Sequence, residues 1–343
     1  MPERTKCTMR DVARLAGVST STVSAVLNST VPVSPERKKW VLEAMAALDY
    51  HPDAIARSLK TGKSNVVGIV VPDITNAFYP EVVRGAEEAA QSAGYSVLLC
   101  DSNENPQAEE RHLAALFSRR VEGVLLAPCV NSMAYQAMVN RRFPMVFVDR
   151  LPPATVDGTV STDNVHAGYV AAKHLIELGH QRIGMVVGHL GLSPHRDRLE
   201  GFRKAMQESH FPILDECLIS GGVQIEDGLA AGHRLLDLAV PPTALMVSNN
   251  TLMLGILQAL EEKKVSVPQD LSVIGFDDYI WNRYFNPSLT SVAQSTHEMG
   301  RRSLELLLSI IKGSKDGTRQ ETHIRLNTEL RIRNSTFPPP ATR

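Results

Sequence analysis

Cysteine is scarce in this chain, long apolar runs are missing, and net charge is close to zero; each shortage removes a class of function. The four cysteines, Cys7, Cys100, Cys129 and Cys217, are scattered and form no Cys-x-x-Cys pair. That argues against a zinc site or a disulfide framework and fits a reducing compartment. No apolar run reaches the roughly 18–20 residues that a membrane helix needs. The start of the chain, MPERTKCTMRD, lacks the apolar stretch of a signal peptide, so a cytoplasmic protein is expected. Catalytic signatures are missing too. There is no Gly-x-x-x-x-Gly-Lys-Ser/Thr phosphate loop, no Gly-x-Gly-x-x-Gly after a strand, no Gly-x-Ser-x-Gly elbow and no His-Glu-x-x-His. The eleven histidines are dispersed. His174 and His180 bracket a helix end, where a structural or dipole role outweighs metal binding. No carboxylate pair stands out as an acid–base couple, and the expectation is a non-enzyme without metal or cofactor.

What is present is unevenly distributed. The net charge of −1 hides a basic head, residues 1–63, with ten Lys/Arg against six Asp/Glu, on a body that carries −5. Such a split suggests a polyanionic partner for the head alone. At 343 residues the chain is long enough for two or three domains.

The first fifty residues read as a three-helix unit. Thr8 with Asp11 three residues later makes a capping-box-like start for a helix carrying Val12, Leu15 and Ala16. Gly17 stops it, because glycine enters the left-handed region without steric cost. Val18 packs inward, Ser19 caps a second helix from Thr20, and Val23, Val26 and Leu27 share one face of it. Ser34-Pro35 opens a third helix with Val41, Met45 and Leu48 inward and Arg37, Lys38 and Lys39 outward. Two short helices joined by a tight Gly-x-Ser turn make a helix-turn-helix. The second helix exposes Thr20, Ser21, Thr22, Ser24 and Asn28, short hydrogen-bonding side chains suited to base edges and phosphates. Beyond it, Asp53 caps a short helix, Ala54 to Lys60, too short to be stable alone in water.

From Val66 the texture changes. VVGIVV, YSVLLC, EGVLLA and FPMVFV alternate with helix-like stretches, and the rhythm restarts after Asp163 through RIGMVV, ALMVS and LSVIGF. Strands alternating with helices give an α/β body of parallel sheets. Two such halves imply two lobes, with ligands held beyond the carboxyl ends of the strands.

The strings DVARLAGVSTSTVSAVLN and PVSPERKKWVLEAMAALDYHPDAIARSLKTGKS closely resemble the headpiece of the lactose/galactose repressor (LacI/GalR) family. In the body, VGIVVPDITNAFYPEVVRGAEEAAQSAGYSVLL, RRVEGVLLAP, HLIELGHQRIGMVVG, RLEGFRKAM and VIGFDD resemble periplasmic-binding-protein-type (type I) repressor cores. The resemblance implies a headpiece over 1–52, a hinge helix and linker over 53–64, and a two-lobed effector-binding and dimerisation body over 65–343. Its lobe one would span about 65–164 and 292–326 and lobe two about 165–291 and 327–336, with crossings near Val165, Ser291 and Asn327. It also implies that the helix from Thr20 enters the major groove of a near-palindromic double-stranded operator bound by a homodimer. Thr20 and Ser21 would reach base edges, while Thr8, Ser19, Thr22, Ser24 and Asn28 would serve the backbone or the rim. Ala25 stands where the family usually has Arg, so the half-site is expected to differ from the usual one. Ala56, Arg57 and Lys60 would line the hinge helix in the minor groove, where Leu59 wedges between base steps.

For the effector, Asp73, Asn76, Phe78 and Tyr79 follow the first body strand. Asp149 and Arg150 end another, and Arg198 opens RLEGF. His195 and Arg196 lie just before it, Asn249 and Asp277 end strands of the second lobe, and Gln294 lies near a crossing. Asn250 replaces a common Asp, and Val223 stands where some relatives carry an aromatic ring. Arg150, Arg198 and His195 or Arg196 suggest a basic pocket, hence an anionic ligand such as a sugar acid or sugar phosphate over a neutral sugar. The tail, RNSTFPPPATR, carries no heptads, so a coiled-coil tetramer is not expected. Two other readings stay open: a regulator whose signal is a protein partner, with a vestigial pocket, and a cytosolic sugar-processing enzyme.

Overall fold

The computed structural model describes residues 7–28, 31–50, 63–153, 156–313 and 322–339. It divides into two compact units, residues 1–64 and 65–343. Among the described residues the first holds three helices, α1 (Met9–Leu15), α2 (Thr20–Asn28) and α3 (Pro35–Ala47). Each contributes one fully buried valine, Val12, Val23 and Val41, to a shared core. Gly17 takes a φ of 64° after α1, and the Val18 N–H then donates to the Ala13 carbonyl at 3.0 Å. The turn is thereby closed, and Val18 is delivered to the core. The expected hinge helix, with Ala56, Arg57, Leu59 and Lys60, lies outside the described residues, as does the side chain of Asn28.

The second unit contains two six-stranded sheets. Lobe one runs β1 (Val66–Val71), α4 (Phe78–Ser92), β2 (Ser96–Asp101), α5 (Pro106–Ser118), β3 (Val124–Leu126), α6 (Gln136–Asn140), β4 (Met145–Val148) and β5 (Gly158–Thr162). Lobe two follows with α7 (Asn164–Glu177), β6 (Ile183–Val187), α8 (Ser193–Glu208), β7 (Leu218–Ser220), α9 (Ile225–Leu236), β8 (Ala244–Val247), α10 (Asn250–Glu262), β9 (Ser272–Phe276) and β10 (Thr290–Gln294). The chain then returns to lobe one for α11 (Thr296–Lys312) and β11 (Thr322–Leu326), and ends in lobe two with β12 (Thr328–Arg331). Strand orders are β11-β5-β4-β3-β1-β2 and β12-β10-β9-β8-β6-β7. Central strands such as β4, β6 and β8 are buried throughout. That explains their near-continuous apolar runs, since helices cover both faces of the sheet.

β12 departs from the all-parallel expectation by running antiparallel to β10. Strand β11 runs parallel to β5 toward the lobe boundary, and Asn327 carries it straight into β12 with no helix to reverse it. The other changes of sheet fall at Asp163 and Ser295; β10 stays in the second sheet through Gln294, past the crossing expected near Ser291. The three crossings are tied together. The Asp163 N–H donates to the Leu326 carbonyl at 3.0 Å, and the Thr162 hydroxyl to Gln294 Oε1 at 2.5 Å.

Helices pair closely through reciprocal glycines. In α7 and α8, a Cβ on Gly168 would lie 2.1 Å from the Arg198 carbonyl oxygen, and one on Gly201 2.0 Å from that of Val165. Gly85 with Gly300 joins α4 to α11, and Gly228 with Gly255 joins α9 to α10, in the same manner. In each case the obstacle is backbone, which cannot swing away as a side chain can. Gly201→Ala is therefore expected to lower body stability by about 1–3 kcal/mol, measured by urea denaturation. A change within error would mean the α7–α8 contact is slack.

Candidate functional site

In the headpiece, α2 presents its first turn to solvent. Thr20 and Ser21 are exposed, and Val23 anchors the opposite face. The Ser19 hydroxyl accepts the Thr22 N–H at 3.1 Å and lies 2.7 Å from the Ser21 and 2.9 Å from the Thr22 hydroxyl. The cap therefore fixes the rotamers of neighbours that would meet a nucleic acid. Ser24 and Ala25 are half-buried on the same helix. Thr8 is bound to its own helix start: its N–H and hydroxyl both donate to Asp11 Oδ2, at 3.0 and 2.6 Å. These bonds hold the Asp11 carboxyl below its ordinary range.

In the body, a cavity between the lobes is lined by Asn76, Phe78, Tyr79, Asp149, Arg150, His195, Arg198, Asn249, Asp277 and Gln294, together with Leu192, Pro194 and Asn250. Strand ends put them there. The two acids sit immediately past β4 and β9 in left-handed backbone, φ 63° for Asp149 and 70° for Asp277, which turns the chain into the cleft. Arg198 comes from α8, stacked with its guanidinium carbon 4.2 Å from the Phe276 ring centre. Its Nε donates to Asn164 Oδ1 at 2.8 Å and its Nη1 to the Ser248 carbonyl. Asp277 accepts from Gln294 Nε2 at 2.6 Å, and Asp149 from the Tyr79 hydroxyl at 3.2 Å. Burial raises both carboxyls, and the Arg198 charge opposes the rise in each. Asn249 caps α10, its Oδ1 accepting the Leu252 N–H at 2.8 Å, and lines the cavity from the start of that helix. Polar contacts cross between lobes: Asn250 Nδ2 donates to Asn76 Oδ1 at 3.0 Å, and the Leu151 N–H to the Ser193 hydroxyl at 2.8 Å.

Two expected residues do not reach the cavity. Asp73 folds back on its own loop, accepting the Thr75 N–H and hydroxyl at 2.8 and 2.6 Å. Arg196 is exposed on α8 and pairs with Asp197 at 2.9 Å, because two positions along a helix turn a side chain to the far face. Arg150, His195 and Arg198 do share the cavity as expected, but their positive charge is offset there. Arg150 is held in a fork by Glu104, at 3.0 and 2.6 Å, and donates to the Pro128 carbonyl at 3.1 Å. Burial first, and then the neighbouring Arg198 charge, drive the His195 pKa well below the ordinary 6.5 and leave the ring neutral. Val223 does not line the cavity. Sequence reasoning missed Glu104 and Tyr279. Glu104 follows a strand end without a recognisable motif. Tyr279, two residues past Asp277, lies 3.2 Å from Asn250 Nδ2 and stacks on Trp281 at 4.6 Å.

Residues 8–53 match the family model described as bacterial regulatory proteins, lacI family, and residues 172–336 match a periplasmic binding protein-like domain. The HTH-type transcriptional repressor PurR of Haemophilus influenzae (strain PittEE) is 37% identical over 96% of this chain and 98% of its own length. The chain belongs to the LacI family. It is a DNA-binding transcription regulator with a ligand-binding body, not an enzyme. Among solved structures, the lac repressor dimer bound to operator and the anti-inducer ONPF superposes with a TM-score of 0.86 at 25% identity, covering 96% of this chain and 99% of that one. A LacI family regulator from Enterococcus faecium with bound ribose gives 0.69 at 30% identity, covering 80% and 100%. No helix among the described residues is long and apolar enough to cross a membrane.

The depressed His195 makes the regulator's stability depend on pH. The folded state holds fewer protons than the unfolded one, so stability is lost as pH falls below 6.5. His195→Gln can keep the bond that His195 Nδ1 makes with the Ser248 hydroxyl at 3.0 Å, without titrating. The variant should gain stability relative to the native protein as pH is lowered from about 7 to about 5, seen in paired urea denaturations. Parallel curves would place the acid sensitivity elsewhere, for example in His174 and His180, which burial also depresses.

Proposed function

We propose that this LacI-family protein is a cytoplasmic homodimeric repressor whose operator affinity is controlled by a neutral polyhydroxylated ligand, a monosaccharide, in the interlobe cleft. The charge balance of the cleft carries the ligand reading. Two guanidiniums, Arg150 and Arg198, are set against three carboxylates, Glu104, Asp149 and Asp277. An anionic ligand would enter a site already short of positive charge. Carboxylates and amides instead suit hydroxyl groups, which donate to Asp149 and Asp277 and accept from Arg198, Asn249 and Gln294. The buried Phe78 ring beside them offers an apolar wall for the face of a sugar ring. The ribose held by the Enterococcus faecium relative supports the same class.

On the DNA side, Thr20 and Ser21 of α2 would read base edges in the major groove, with Ser19, Thr22, Ser24 and Asn28 on the backbone or rim. The repressor names of the PurR relatives and the operator held by the lac repressor dimer support this reading.

Thermal unfolding across pentoses, hexoses, sugar acids and sugar phosphates tests the ligand. A neutral monosaccharide is expected to raise the midpoint, since a ligand that binds only the native state stabilises it. Arg198→Ala should remove that rise. A response to anionic members alone would overturn the neutral-sugar reading, and no response to any member would favour a protein partner as the signal. Selection of operators from random duplexes tests the DNA side. Ala25→Arg is expected to enrich guanine at one position of each half-site, a bidentate contact worth about 1–3 kcal/mol. Identical selected sites would remove Ala25 from base reading.

A further inference from the structure

Outside the cavity lining, one charged contact bears directly on what the cavity accepts. Glu104 lies in the loop between β2 and α5, with a φ of 52°, and its N–H donates to the Pro72 carbonyl at 2.6 Å. That backbone bond pins the loop against the end of β1, and the carboxylate lies parallel to the Arg150 guanidinium. Both oxygens are used: Oε2 accepts from Nη1 at 3.0 Å and Oε1 from Nη2 at 2.6 Å. The side chains are 19% and 9% exposed, so water screens the pair only partly. Nη1 is further committed to the Pro128 carbonyl at 3.1 Å. The end-on edge of the guanidinium, Nη1 with Nη2, which could grip a carboxylate or phosphate in two places, is therefore already occupied by a carboxylate of the protein.

We propose that Glu104 is a specificity-determining residue that excludes anionic ligands by standing in for one against Arg150. The proposal rests on the neutral-sugar reading of the cleft and adds the reason an arginine-bearing site takes an uncharged ligand. Arg150 lines the cavity beside Asp149, and its guanidinium carbon lies 5.9 Å from the Tyr79 ring centre, so it cannot be moved without disturbing two other lining residues. Specificity of this kind works by making the wrong ligand worse. An acid that approaches Arg150 meets an occupied fork and an uncompensated negative charge. Removing the Glu104 charge opens the fork and takes away one of the three carboxyl groups set against the two guanidiniums.

The test compares the full-length native protein with Glu104→Gln, Glu104→Asp and the double variant Glu104→Gln/Arg150→Gln. The probes are ribose, ribonate, ribose 5-phosphate and inorganic phosphate, read by calorimetric titration and by the unfolding midpoint. The ratio of anionic to neutral affinity should rise about tenfold or more in Glu104→Gln. It should stay native-like in Glu104→Asp, which keeps the charge. Inorganic phosphate, which needs no sugar recognition, should raise the midpoint of Glu104→Gln above the native response, and the double variant should lose that gain. If folded Glu104→Gln shows the native ratio and the native phosphate response, Glu104 only braces the loop and the proposal falls. If the native protein prefers ribonate or ribose 5-phosphate to ribose, the neutral-sugar reading fails instead. A phosphate gain in Glu104→Gln that disappears with Arg150 would still uphold the masking of Arg150.

Discussion

The body is organised around one buried cation. Arg198 leaves α8, stacks on Phe276, donates to Asn164 at the start of α7 and to the carbonyl that ends β8, and faces Asp149 and Asp277 from opposite lobes. Burying such a charge is costly unless it is paired and hydrogen-bonded. The partners it requires define the site: two acids at strand ends, an amide at a helix start, a ring beneath. Burial lowers the pKa of Arg198 and raises those of both acids, and the attraction between them opposes each shift. Removing Arg198 would leave two carboxylates buried together, so its loss damages the lobe contact as well as any ligand contact.

That arrangement requires the lobes to meet in a defined way, and the threading of the chain provides it. Three crossings run side by side, held by the Asp163–Leu326 and Thr162–Gln294 bonds. Gln294 belongs to both systems: it accepts from Thr162 at the crossing and donates to Asp277 in the cleft. A hydroxyl that competes for Asp277 therefore acts on a residue bonded to the strand connection. The glycine pairs supply the complementary stiffness, locking α7 to α8 and α4 to α11 at backbone distance. Close backbone packing of this kind leaves the helices within each lobe little room to slide past one another.

Much of this was legible in the chain because the signals were periodic or punctuated. Gly17 and Ser19 announced the turn before α2, the Val/Ile/Leu runs announced buried parallel strands, and strand ends located Asp149 and Asp277. Less legible were features that depend on direction or on distant partners. Helical spacing already separates Arg196 from Arg198, but composition alone pooled them as one basic cluster. No local pattern shows that Glu104 reaches Arg150 across 46 positions, so an arginine was counted as available charge when it was spent. The antiparallel β12 followed from a missing helix, a clue that strand propensity does not register. Asp73 was drawn in by its place after β1, yet a short turn bonded to Thr75 satisfied it locally.

The same distinction explains how one fold can serve ligands of opposite character. The lining of the cleft is set by strand ends, which topology fixes: Asn76, Asp149, Arg150, Asn249 and Asp277 occupy the sites that any such pair of sheets provides. The charge those residues present is set one layer out, by loop residues such as Glu104 that topology leaves unconstrained. A substitution in that outer layer changes the charge balance of the site while leaving the identity of every lining residue unchanged. Were the two lobes to close on a ligand, the same charge would also enter the closure equilibrium. An unmatched negative charge opposes closure around an acid, whereas hydroxyls that donate to Asp149 in one lobe and Asp277 in the other draw the lobes together. Selectivity and conformational response then share one electrostatic origin: a ligand can shift the lobes only by as much as its affinity differs between the open and closed states.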